Sequence, residues 1–241
     1  MKKGFLLFVI VAVFNLVAYA QKKAAKPSQR LNENSIVKDS SGMQYPYIIW
    51  QKLVSSGDYT IKTIYPHTDS IAFLLIKLDD EQKNKRYSRM PKPEQSTFFT
   101  RGQKLQSFSA TDINGNKIKL NELAGKVVVL NFWFIGCPPC RMEIPELNKI
   151  AVRYAHDPGV VFVAIALDQK YDIKQYIKDN PFGYHIIDDG GMYAGMYKIN
   201  LFPTNVVLDK EGKVLFHASG YTINTPYWIG KTIEEAKKTI L

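Results

Sequence analysis

Two hydrophobic patterns divide this chain. Residues 127–134 (VVVLNFWF) and 160–167 (VVFVAIAL) are almost unbroken apolar runs, the pattern of strands covered on both faces. Elsewhere the apolar positions are spaced. Residues 47–54 (YIIWQKLV) carry the repeat of a short amphipathic helix that stops at Ser56 and Gly57. Two β-rich runs, 59–65 and 71–78, are separated by a Pro-His-Thr-Asp-Ser break and predict a hairpin. A second hairpin is predicted over 107–120, turning at Asn114-Gly115. One helix is predicted from Cys137 to about His156, where Asp157-Pro158-Gly159 ends the pattern. Further helices are predicted near 172–179, near 191–198 and over 231–241, with a short strand at 184–187 and a hairpin of 203–209 with 214–217.

That order of strand, helix, strand, helix, hairpin and helix predicts an α/β domain with a mixed central sheet flanked by helices. It is expected over residues 97–241. The segment 31–93 reads as a small α+β extension, with too little apolar content for a large core of its own and no assigned chemistry. Between them, the basic stretch 83–95 (KNKRYSRMPKPEQ) reads as a linker ending near Pro93.

Composition excludes a disordered chain, since 46% of the 241 residues are hydrophobic and 12% aromatic. Residues 1–20 begin Met-Lys-Lys, continue as an apolar run and close on Ala18-Tyr19-Ala20. This predicts a secretory signal peptide cleaved after Ala20, with an uncleaved membrane anchor as the competing expectation. Residues 21–30 form a polar leader. Export implies a periplasmic location, where disulfides persist. The net charge of +10 is spread over leader and linker, so it describes a solvated surface. Nucleic acid is not an expected partner, whereas the charge leaves open contact with an anionic membrane surface or an acidic partner.

The only two cysteines lie in NFWFIGCPPCRMEIPEL. As a pair they could be a structural staple, part of a metal site or a redox switch. Cys137 ends a strand and opens a helix, where unpaired N–H groups and the helix dipole favour thiolate over thiol. Pro138 suits a first helical turn, and Cys140 is expected to be the less exposed of the two. Cys137 is then the attacking sulfur and Cys140 the resolving one. A staple closing so short a loop constrains little chain entropy. A zinc site would need ligands from His67, His156, His185 or His217, none at ligand spacing from another. Cu(I) held by two thiolates and a distant histidine remains open.

Asn131-Phe132-Trp133, the Cys137-x-x-Cys140 pair opening a helix, and Pro145 together resemble the active-site segment of thioredoxins. Phe202-Pro203-Thr204, ahead of an apolar strand and an Asp-Lys-Glu-Gly turn, resembles the cis-proline loop of that fold. The hairpin before the first buried strand and Glu143 make residues 97–241 most similar to the extracytoplasmic TlpA/ResA-like branch. The resemblance implies a thioredoxin-like fold and a thiol-disulfide oxidoreductase, often a reductant, including of apocytochrome c before haem attachment. It implies no cofactor beyond the Cys137-Cys140 disulfide and no metal. Implied partners are cysteine-containing exported proteins and an upstream membrane or periplasmic electron donor.

Thioredoxin carries a buried Asp where this chain has Asn131, and Gly-Pro where it has Pro138-Pro139. Glu143, one helical turn from Cys140, can exchange a proton with a nearby thiol, and its charge would raise thiol pKa values; it is otherwise an ordinary first-turn acid. A cis bond at Pro203 would leave the Phe202 backbone free to pair with an extended substrate, while a trans proline would equally suit a strand start. Trp133, Phe134, Phe202 and the two prolines are candidates for an apolar docking rim, or core. Two other functions compete. A peroxiredoxin-like thiol peroxidase would place Thr or Ser three residues before its cysteine, where this chain has Phe134. A copper-delivery protein would draw on His185 or His217.

Overall fold

A computed structural model describes residues 30–67 and 70–238. The expected signal peptide over 1–20 and nearly all of the leader lie outside the described residues. The chain divides into two compact units at Asp80/Glu81.

In the first unit, β1 (Val37–Lys38), β2 (Gln44–Tyr45), β3 (Tyr59–His67) and β4 (Ser70–Lys77) form one sheet in the order β2-β1-β4-β3. The predicted hairpin is β3 with β4, antiparallel from Tyr59↔Lys77. The predicted helix is α1 (Tyr47–Ser55), and Gly57 follows it at φ 83°, a left-handed conformation that glycine adopts without strain. Val37, Trp50, Phe73 and Leu75 make a small core. The two-residue strands β1 and β2 were not expected: they are too short to show a period.

At the division stands α2 (Asp80–Arg89), a helix in place of the linker expected there, and the two units part at Asp80/Glu81 rather than near Pro93. Its sequence, DEQKNKRYSR, consists mostly of helix formers, with acids at the start and Arg86 and Arg89 in the last turn. It buries no residue, so no apolar stripe announced it. After β5 (Ser109–Thr111) and β6 (Lys117–Lys119), the predicted Asn-Gly hairpin, come β7 (Val127–Trp133), α3 (Pro138–Arg153), β8 (Val160–Ala166), α4 (Lys170–Asp179), β9 (His185–Ile187), α5 (Gly191–Met196), β10 (Thr204–Leu208), β11 (Val214–Ser219) and α6 (Thr225–Lys238). The sheet order is β11-β10-β7-β8-β9. Strands β7, β8 and β9 are parallel and β10 and β11 antiparallel, as the mixed-sheet expectation requires.

All seven residues of β7 are buried because both faces are covered. Val127 and Val129 pack with Leu147 and Ile150 of α3, Ile173 of α4 and Ile229 and Ile233 of α6. Val128, Leu130 and Phe132 pack on the other side with Phe108, Ile118, Tyr197 and Ile199. Helix α6 begins six residues before the expected 231. Pro226 lies in its first turn, where a missing N–H does no harm, but in the sequence Pro226 and Gly230 mask the start.

Candidate active site

Strand β7 delivers the cysteines to the N-terminus of α3. Cys137 is the N-cap, extended at φ −91° and ψ 103°, with the two prolines directly inside the helix. Its Sγ accepts the Cys140 backbone N–H at 3.2 Å. The two sulfurs form a disulfide across a Cα separation of 5.3 Å. Cys137 is 2% exposed and Cys140 1%, so the expected contrast in exposure is absent from this oxidised form. What distinguishes the two sulfurs is position: Cys137 occupies the cap and Cys140 the first turn.

The loop between strand and helix is held from behind by Asp168, whose Oδ2 accepts the Ile135 N–H at 2.7 Å. Phe134 and Phe202 meet edge to face, ring centroids 5.5 Å apart, and both are half-buried. Pro138 is exposed, Pro139 half-buried and Pro203 buried. The Phe202–Pro203 peptide bond is cis. Of the two places open to Trp133, rim or core, the structure has the core. It is 0% exposed, with Tyr176 and Phe182 at 5.8 and 5.6 Å between ring centroids. Its place is the core, because β7 is covered on both faces.

Behind the disulfide lies a buried polar chain. Glu143 is 0% exposed. Asn205 Nδ2 donates to both of its oxygens, at 3.0 and 2.9 Å. Asn131 Nδ2 donates in turn to Asn205 Oδ1 at 2.9 Å. The two asparagines are direct cross-strand partners on β7 and β10, which is why residues so distant in sequence meet. Burial pushes the Glu143 carboxyl up and the Asn205 hydrogen bond pulls it back, leaving it at about 8. Nearby, the Tyr184 hydroxyl is buried without a hydrogen-bond partner among the described residues. Its pKa is raised well above the usual range by burial and then by Glu143. Sequence reasoning found Glu143 and Asn131 but not Asn205 or Tyr184. The one available hint was a polar residue inside the apolar run TNVVL.

Each histidine weighed for copper has its Nδ1 engaged. His185 Nδ1 pairs with Asp112 at 2.9 Å, and His217 Nδ1 with Ser96 Oγ at 3.1 Å. Among the described residues no group of three or more His, Cys, Asp or Glu side chains could hold a metal.

A family model described as the AhpC/TSA family matches residues 101–217. The chain is 33% identical over 131 residues to the thiol-disulfide oxidoreductase ResA of Bacillus thuringiensis subsp. konkukian (strain 97-27), covering 51% of this chain and 75% of that protein. It is 35% identical over 116 residues to ResA of Bacillus cereus (strain ZK / E33L), covering 47% of this chain and 66% of that one. Thus it spans just under two thirds of the Bacillus cereus relative's length. A solved structure of a thiol:disulfide interchange protein, a thioredoxin family protein from Chlorobium tepidum TLS, matches with a TM-score of 0.50 at 26% identity. That match covers 57% of this chain and 98% of the other. Sheet order, cysteine placement and these likenesses agree: the chain belongs to the ResA-like thiol-disulfide oxidoreductases of the thioredoxin fold.

Proposed function

We propose that this protein is an extracytoplasmic oxidoreductase that exchanges the Cys137–Cys140 disulfide with cysteines of exported partner proteins, acting as a reductant without a further cofactor. The observation that carries this is a disulfide capping α3 with a buried carboxylate one turn behind it. In the reduced form the Cys137 thiolate attacks a partner disulfide. The partner S–S bond breaks, a mixed disulfide forms at Cys137, and the displaced partner sulfur leaves as a thiolate and takes up a proton. Cys140 then gives its proton to Glu143 and attacks the Cys137 sulfur. The second partner thiolate is released and protonated, and the chain is left as the disulfide. Two electrons have passed to the partner, and an upstream donor restores the dithiol.

Two features bear on direction. The helix N-terminus stabilises the Cys137 thiolate, whereas Glu143 opposes that charge as it ionises toward pH 8. A strong oxidant depends on a stabilised reduced form, and Glu143 works against one where it is charged. The half-buried pair Phe134 and Phe202 would receive the partner. Export rests on the N-terminal pattern of residues 1–20, and no helix among the described residues is long and apolar enough to cross a membrane.

Trapping tests the assigned roles. A Cys140→Ser variant should accumulate mixed disulfides with exported proteins through Cys137, resolved by mass spectrometry, and Cys137→Ser should not. Accumulation on Cys140 of the Cys137→Ser variant would reverse the roles.

A further inference from the structure

Resting on this proposed exchange reaction, one more residue acquires a role. Asn205 lies on β10, two residues past the cis-proline, and is 0% exposed. Its amide bridges both neighbours. Oδ1 accepts from Asn131 Nδ2, so the NH2 group is turned toward Glu143 and donates to both oxygens. An NH2 group can only donate. It therefore favours the ionised carboxylate over the neutral acid, which would have to direct its own O–H elsewhere.

We propose that Asn205 is a positioning residue: held by Asn131 across the β7–β10 pair, it grips the Glu143 carboxylate and keeps that group able to accept the Cys140 proton during exchange. Burial alone would leave Glu143 protonated and unable to serve as a base. The grip opposes burial, and the two effects bring the carboxyl near the range where it can cycle. The other titratable groups around it are Cys137 and Cys140 on its own helix, Tyr184 from the segment leading into β9, and Tyr221 after β11, both tyrosines feeling its charge. Neither tyrosine hydroxyl donates to the carboxylate among the hydrogen bonds of the described residues, so the donors holding Glu143 come from Asn205 alone.

The test is a 13C NMR titration of selectively labelled glutamate in the full-length oxidised protein. In Asn205→Leu the Glu143 midpoint should rise by at least about one pH unit, because both donated hydrogen bonds are lost. Asn205→Ser keeps one donor, should give a smaller rise, and carries the test if the leucine variant does not fold. An unmoved or lowered midpoint in a folded variant overturns the proposal. Exchange of the reduced protein with a small aromatic disulfide supplies a second readout. Asn205→Leu should slow it by about tenfold near neutral pH, but by less than about twofold when Glu143 is already Gln. Equal slowing in both backgrounds would mark Asn205 as merely structural and overturn the role. A wild-type chain that exchanges no disulfides at all would instead defeat the proposed function, while the carboxyl titration would still report on the grip.

Discussion

Two carboxylates are buried in the second unit, and the structure treats them oppositely. Asp112 is 1% exposed and Glu143 0%. Burial pushes both upward. Asp112, however, accepts the backbone N–H groups of Asn114 and Asn116, the Asn116 side-chain amide and His185 Nδ1. Together these outweigh burial and bring it down to about 2. Glu143 has the single amide of Asn205 and stays at about 8. Donors and depth together decide the outcome: Asp112 lies nearer the surface and accepts several hydrogen bonds, so it is a permanent anion, while the deeper Glu143, with one amide donor, can trade a proton. Asp112 closes the β5–β6 turn and, through His185, ties it to β9; Glu143 stands beside the disulfide.

Opposite shifts give opposite pH dependences. Glu143 has a folded pKa above its ordinary value, so its contribution to stability is complete below about pH 4.5 and declines as pH rises to about 8. At roughly 1.4 kcal/mol per pH unit the total is bounded at about 5 kcal/mol. Glu143→Gln should abolish that decline in chemical denaturation between pH 5 and 9, and an unchanged slope would show that Glu143 titrates normally.

The second effect is smaller and lies in acid. Asp112 has a depressed pKa, so its contribution is present above about pH 4 and lost as pH falls toward 2, on the order of 2 kcal/mol. Removing the carboxylate, as in Asp112→Ala, also orphans buried donors and should destabilise the fold by about 3 kcal/mol at neutral pH. In the folded fraction, the pH profile of the thiols should stay as in the wild type. A shifted thiol profile would mean the two carboxylates are coupled.

The smallest effect concerns the rim. Phe202→Ala should weaken exchange with a protein partner several-fold, by loss of about 1 kcal/mol of apolar contact. Exchange with a small disulfide should be unchanged. Equal losses would place Phe202 in the chemistry rather than in docking.

The anion and the proton carrier were not equally visible beforehand. Cys137, Cys140 and Glu143 could be found because strand, cysteine cap and helix are consecutive, and the almost unbroken apolar runs at 127–134 and 160–167 placed the buried strands. Asn205 could not, because its partners lie 62 and 74 residues away and only the β7–β10 register brings them together. Whether Trp133 belonged to rim or core could not be read beforehand, because an apolar strand does not say how completely its end is covered. The helix Asp80–Arg89 escaped for the converse reason: its residues favour a helix but offer no apolar face to reveal it.

The central claim is a dithiol–disulfide couple that donates electrons. Equilibration of the full-length protein in graded thiol–disulfide buffers, with the Cys137–Cys140 fraction read by mass after alkylation, measures its reduction potential directly. The account predicts a value near that of thioredoxin, about −270 mV. A value near about −120 mV, that of a strong disulfide donor, would contradict it.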